Sequence, residues 1–192
     1  MMSTVPAFAA AGDPIATTDA GQGTIEFTGS VIDAPCSIVP VSQNIKVSLG
    51  QVSLKRLDAA DKHSDAVPVT INLTGCSFDE PATGGTTVQY SKVAVTFPDA
   101  HTPVGGDATK GEIANGAPDA AKNVVIQLLK SDAATPVDLT KTNPTKDDTG
   151  NIQLDTTSST NKLQFYARMM TISGAAKAGS VGATVTYKLH YF

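Results

Sequence analysis

The sequence predicts an all-β sandwich, and three observations carry that reading. Apolar residues recur at every second position in segment after segment, the pattern of strands with one buried face. Sixteen Gly and eleven Pro break the 192 residues at close intervals, which leaves short strands joined by turns. Helical spacing is confined to Ser53–Lys62 (SLKRLDAADK), enough for about two turns. Short strands with turn signals between them point to an immunoglobulin-like arrangement in one domain, and a chain of this length can bury a proper core.

Residues 1–9 read MMSTVPAFA, where Ala7-Phe8-Ala9 has the small-x-small form that precedes a signal-peptidase cut. The charged and apolar regions that belong before such a cut are not in the sequence. Residues 1–9 therefore read as the tail of a signal peptide, with the mature chain starting near Ala10; a plain Ala-rich N-terminus is the alternative. Residues 10–30 form a leading segment. From Gly21 to Val31 the odd positions are Gly21, Gly23, Ile25, Phe27, Gly29 and Val31, and the even positions Gln22, Thr24, Glu26, Thr28 and Ser30 are polar. At Val31-Ile32 the phase slips, and Ile32, Ala34, Cys36 and Ile38 become the apolar set. A slip beside Pro35 means that one strand on one face cannot hold both segments. The domain proper is taken as 31–192, opening on a second strand there.

Further strands are expected at Ile45, Val47 and Leu49 up to Gly50, at Val67–Leu73, and at Val93–Phe97 up to Pro98. Val124–Leu129 is a nearly continuous apolar run, the mark of a strand buried on both faces. Leu163–Met169 alternates again. Val181, Ala183, Val185, Tyr187, Leu189 and Tyr191 alternate to the end of the chain. Pro98–Lys122 and Lys141–Thr160 are long polar stretches that read as surface loops.

The formal net charge of −4 is mild and the Lys and Arg are scattered, which excludes the clustered basic surface that nucleic acid needs. There are two cysteines, Cys36 and Cys76. An even count in an exported chain points to one disulfide, and no CxxC or HxxxH accompanies them to make a zinc site. No G-x-S-x-G, H-E-x-x-H or P-loop occurs, so no catalytic residue, metal or cofactor is assigned and the chain reads as a non-enzyme. Asp147, Asp148 and Asp155 lack EF-hand spacing and read as a solvated loop.

The two ends do not balance. A strand-like segment stands in front of the domain, and no residues follow the last strand to close the sandwich behind it. A sandwich lacking its final strand exposes core and unpaired backbone. A spare strand in front and a missing one behind suggest that one molecule completes the next, which builds an open filament.

Gly23-Thr24-Ile25-Glu26-Phe27-Thr28-Gly29, followed closely by Cys36, resembles the start of type 1 and P pilus subunits of the chaperone–usher pathway. The similarity continues through Leu49-Gly50-Gln51-Val52, Ile71–Cys76 and Phe165-Tyr166-Ala167-Arg168. At the end, Tyr191 is one residue from the terminus and Gly179 the fourteenth from it, as the family pattern has it; Phe192 departs from the Gln common there. The resemblance implies an incomplete immunoglobulin fold lacking its last strand, completed by a donor strand from a neighbouring subunit. Gly23, Ile25, Phe27, Gly29 and Val31 would be the donor residues. The acceptor edge would be Gly179, Val181, Ala183, Val185, Tyr187, Leu189 and Tyr191. The implied partners are neighbouring pilin subunits in a homopolymer, a periplasmic chaperone and an outer-membrane usher. The implied location is an extracellular pilus reached through the periplasm, supporting adhesion. The second reading is a minor or tip-associated pilin that binds a host receptor, an adhesin acting through its long loops.

Overall fold

The computed structural model describes residues 23–80 and 88–192. The Ala7–Ala9 pattern and residues 10–22 of the leading segment lie outside them. The chain divides after Ile32. Residues 23–32 form no regular element, and the side chains of Ile25 and Phe27 are 76% and 88% exposed.

The described residues of the unit Asp33–Phe192 carry ten strands: β1 Ser37–Ile38, β2 Val67–Thr74, β3 Asp79–Glu80, β4 Val88–Gln89, β5 Lys92–Thr96, β6 Glu112–Ala114, β7 Val124–Leu129, β8 Ile152–Gln153, β9 Thr160–Thr171 and β10 Lys188–Tyr191. They make a five-stranded sheet in the order β1-β2-β9-β7-β6, a three-stranded sheet β10-β5-β8 and a two-stranded ribbon β3-β4. Every ladder is antiparallel. The two larger sheets share one core: Ile71, Leu73 and Leu163 from the first meet Val93 and Phe97 from the second. Phe97 meets Phe165 edge to face at 6.0 Å between ring centres, the arrangement that the ring quadrupoles favour.

The long, strongly patterned segments fold as their period dictates. β9 buries Leu163, Phe165, Ala167 and Met169 on one face, and all six residues of β7 are buried. Cys36 is bonded to Cys76, with Cys36 in the core beside Ile71 and Leu73.

Five expectations need correction. Ser53–Lys62 is not a two-turn helix; it holds one 3-10 turn, Leu54–Arg56. Leu57 is its single buried side chain, so no apolar stripe exists to stabilise so short a helix. The strand expected from Ile32 to Ile38 shrinks to Ser37–Ile38, because a bend fills 34–36 around Pro35, which has no N–H to give a ladder. The 98–122 stretch is more than a loop. It contains β6 and a 3-10 turn, Ala108–Lys110, that Asp107 caps by accepting a hydrogen bond from the Thr109 N–H (2.9 Å). Ile45–Leu49, expected as a strand, joins no ladder, and of the run Val181–Tyr191 only the last part does, as β10.

Candidate functional site

The two segments without a ladder face each other. Residues 43–52 form one rim of a long groove and residues 176–187 the other. The groove encloses 1370 Å³, and its floor is apolar, with Val69, Ile71, Ile126, Leu128, Phe165 and Met169 among its residues. Ile45, Val47 and Leu49 turn half-buried side chains inward from one rim, and Val181, Val185 and Tyr187 from the other.

The hydrogen bonds of the C-terminal run follow a parity. Phe192 exchanges two bonds with Lys92: its N–H donates to the Lys92 carbonyl (2.9 Å) and its carbonyl accepts from the Lys92 N–H (3.0 Å). In an antiparallel pair such residues alternate, so Lys188 and His190 also turn their backbone groups toward β5. Beyond Pro98 there is no strand left to pair with, yet Thr186, Gly182 and Ser180 are still held, while Thr184 makes no hydrogen bond to a described residue. The Thr186 N–H donates to Asp99 Oδ1 (2.6 Å), and the Thr186 hydroxyl to Asp99 Oδ2 (2.7 Å). The Gly182 N–H donates to Asn115 Oδ1 (3.0 Å), and the Gly182 carbonyl accepts from the Gly116 N–H (2.9 Å). The Ser180 N–H donates to the Asp119 carbonyl (2.9 Å), while the Ser180 carbonyl accepts from the Ala121 N–H (2.9 Å) and from Asn115 Nδ2 (2.8 Å).

The odd residues point the other way. The backbone groups of Val181, Ala183, Val185, Tyr187, Leu189 and Tyr191 find no partner among the described residues. Across the groove, no backbone hydrogen bond to a described residue is made from Asn44 to Val52. Two rows of unpaired groups thus flank an apolar floor. Such an edge is costly unless another strand covers it.

Gly179 sits at the start of the run for a steric reason. A Cβ there would come within 2.5 Å of the Ala121 nitrogen and 2.6 Å of the Asp119 oxygen, so only glycine lets the run enter beside 119–121. Tyr187 links the two rims. Its hydroxyl donates to the Ser42 carbonyl (2.7 Å), and the fully buried Ser42 accepts the Asn72 N–H on its Oγ (3.0 Å). Burial pushes the Tyr187 phenol up, and burial, with Tyr187 adding to it, pushes Tyr191 up to about 12. The Thr186 hydroxyl, and after it the Thr186 N–H, holds the Asp99 carboxyl below the usual carboxylate range. None of these groups is arranged as a nucleophile with a base. Among the described residues no three His, Cys, Asp or Glu gather to hold a metal ion.

Sequence reasoning placed the odd residues 181–191 on an exposed edge but missed Asp99, Asn115 and Ser42. Each lies in or beside a turn and reads in the sequence as an ordinary loop residue.

The family model described as fimbrial protein matches residues 25–191. The chain belongs to the fimbrial protein family. The F17 fimbrial protein of Escherichia coli is 35% identical over 176 residues, covering 91% of this chain and 89% of the relative. The major MR/P fimbria protein of Proteus mirabilis is 31% identical over 174 residues, covering 90% and 86%. Solved structures agree on the fold. A chaperone–usher pilus structure superposes with a TM-score of 0.65 at 23% identity, covering 92% of this chain and 99% of that one. The P pilus rod subunit PapA gives a TM-score of 0.58 at 20% identity, covering 83% and 100%. This fimbrial subunit is therefore a structural, non-enzymatic component of an extracellular fimbria on the cell surface, assembling with other pilin subunits, and its immunoglobulin-like fold lacks a strand.

Proposed function

We propose that this fimbrial subunit polymerises head to tail by donor-strand exchange, in which residues 10–30 of one copy enter the groove of the next. Ile25, Phe27 and Val31 are the side chains that fill the floor, with Gly23 and Gly29 where the backbones approach closely. The backbone of the entering segment pairs with the odd residues 181–191. The observation that supports this most is the asymmetry of the C-terminal run, held on one side at Ser180, Gly182, Thr186 and β10 and open along the other. Adding a strand to an open sheet edge is a general recognition mode, and chaperone–pilin complementation is a standing example of it. The same open edge is the surface that a periplasmic chaperone covers before assembly and that the outer-membrane usher delivers to the next subunit. Adhesion is then a property of the assembled filament.

The test is a variant with residues 13–30 removed from the front and attached after Phe192 through a flexible Gly/Ser linker. Burying Ile25 and Phe27 contributes about 1.5–3 kcal/mol each, and each new backbone hydrogen bond nets about 1 kcal/mol. The expected product is a soluble monomer that melts well above the unmodified subunit and forms no filaments. Replacing Gly29 by a bulky residue in that variant removes much of the gain. A rearranged protein that still forms filaments, or melts no higher, would show that the segment is not a donor.

A further inference from the structure

Charge divides this chain sharply. Residues 1–45 contain no Lys or Arg; the first basic residue is Lys46. Asp13, Asp19 and Glu26 lie in the leading segment, which so carries three of the four net negative charges. The groove has the opposite character. Among the described residues its lining contains no Asp or Glu, and its charged residues there are two lysines, Lys46 on one rim and Lys177 on the other, both exposed. Lys188 continues the second rim with a third exposed ammonium. Asp99 and Asp119 lie near the C-terminal run, but each holds it from the side away from the groove: Asp99 through its carboxylate to Thr186, Asp119 through its carbonyl to Ser180.

We propose that the groove is selective for an acidic strand, so that Lys46 and Lys177 steer the leading segment of a second copy of this chain into it. The inference rests on the strand-exchange reading above and adds a charge rule to it. An apolar floor accepts any alternating apolar strand of suitable size, because burial has no direction. What distinguishes one such strand from another is the polar face left outside. On this segment that face carries Glu26 among neutral Gln22, Thr24, Thr28 and Ser30. Once the strand lies between the rims, its outward residues stand beside those of both, and opposite charges on neighbouring strands attract. Before contact, two same-sign rims beside a low-dielectric trough raise the local concentration of an anionic segment. The attraction is between exposed groups and so depends on ionic strength, since the Debye length is about 8 Å at physiological salt. A basic strand entering the same groove meets like charge on both sides, which slows the wrong partner.

The experiment follows capture of a fluorescent peptide spanning residues 10–30 by the full-length subunit, using fluorescence anisotropy with stopped-flow mixing. Four peptides are compared: the natural one; a neutral one carrying Asp13→Asn, Asp19→Asn and Glu26→Gln; a basic one with Lys at those positions; and a control in which Ile25→Ser and Phe27→Ser remove the apolar anchors. At low salt the natural peptide is captured about tenfold faster than the neutral one, and the difference closes in 0.5 M salt, on the order expected for electrostatic steering. The double variant Lys46→Glu/Lys177→Glu, whose melting temperature checks that it is folded, reverses the ranking and prefers the basic peptide. Equal rates for the natural, neutral and basic peptides, with the anchor-less control excluded, would overturn the charge rule and leave strand exchange standing. Capture of the control as fast as the natural peptide, or capture of none, would overturn strand exchange itself.

Discussion

Compare β9 with the run from Ser180 to Phe192. Both are long alternating segments, and both turn apolar side chains to the same core. β9 lies between β2 and β7 and is laddered on both edges, with Val67↔Ala167 on one side and Leu128↔Ala167 on the other. The C-terminal run has partners on one edge, and over half its length these are side chains and turns instead of a strand. Sequence period fixes which side chains go inward in both cases. It carries no information about how many neighbours the backbone will have. That difference makes β9 a structural strand and leaves the C-terminal run with one open edge.

Substitutions at the two strands should separate these roles. The largest effect belongs to β9: Leu163, 1% exposed, when replaced by Ala should cost about 2–5 kcal/mol. Chemical denaturation should give the same loss in the natural subunit and in the variant carrying its own donor strand, because β9 already has both partners. A loss that depends on the donor would break the comparison.

Asn115→Ala is next. It removes the acceptor for the Gly182 N–H and a donor to the Ser180 carbonyl, for about 1–3 kcal/mol in the natural subunit. Here the cost should shrink when the donor is supplied in the same chain, since a strand on the open edge holds the run from its other side. An unchanged cost would mean that Asn115 only shapes its own turn.

Tyr187→Phe keeps the ring and removes the bond to the Ser42 carbonyl that joins the rims. About 0.5–1.5 kcal/mol is expected, with earlier hydrogen exchange of the Ser42, Gln43 and Asn72 amides as the local readout.

The smallest effect is a pH dependence at Thr186. The Asp99 carboxyl is held below its ordinary value by the Thr186 hydroxyl and N–H. A depressed folded pKa means the contribution is complete above the unfolded value of about 3.9. It is lost as pH falls through the lower folded value. Protection of the Thr186 amide should therefore hold from neutrality to about pH 4 and fall below that, while Asp99→Asn should show weaker protection with no such step. A natural subunit without the step would show that Asp99 does not hold this amide.

Much of the sandwich was legible. β2, β7 and β9 are long enough that periodicity decides their structure, and the run Val124–Leu129, apolar except for Gln127, announced its burial on both faces. β6 was not legible, because it is three residues long and its one apolar core side chain, Ile113, stands among Lys110, Gly111, Glu112 and Asn115. The 53–62 segment misled because helical spacing with a single buried residue, Leu57, has no stripe to pack against a core. Of the candidate site, the odd positions 181–191 could be read from alternation. The groups that hold the even positions could not, since Asp99 and Asn115 act across 87 and 67 residues of sequence.

The register of β2 with β9 carries a consequence for the birth of the molecule. Pairing Val67 with Ala167 joins positions roughly a hundred residues apart, and β10 reaches β5 across a similar span. Contacts this remote in the chain form slowly, on the order of milliseconds to seconds for all-β domains. Throughout that interval both rims of the groove lie open to any other unfinished chain. Refolding yield should therefore fall steeply as protein concentration rises, and adding the 10–30 peptide at the start of refolding should recover it more than adding it at the end. On the strand-exchange proposal, the groove that accepts a neighbour's strand is also where a neighbour's mistakes enter while the chain folds.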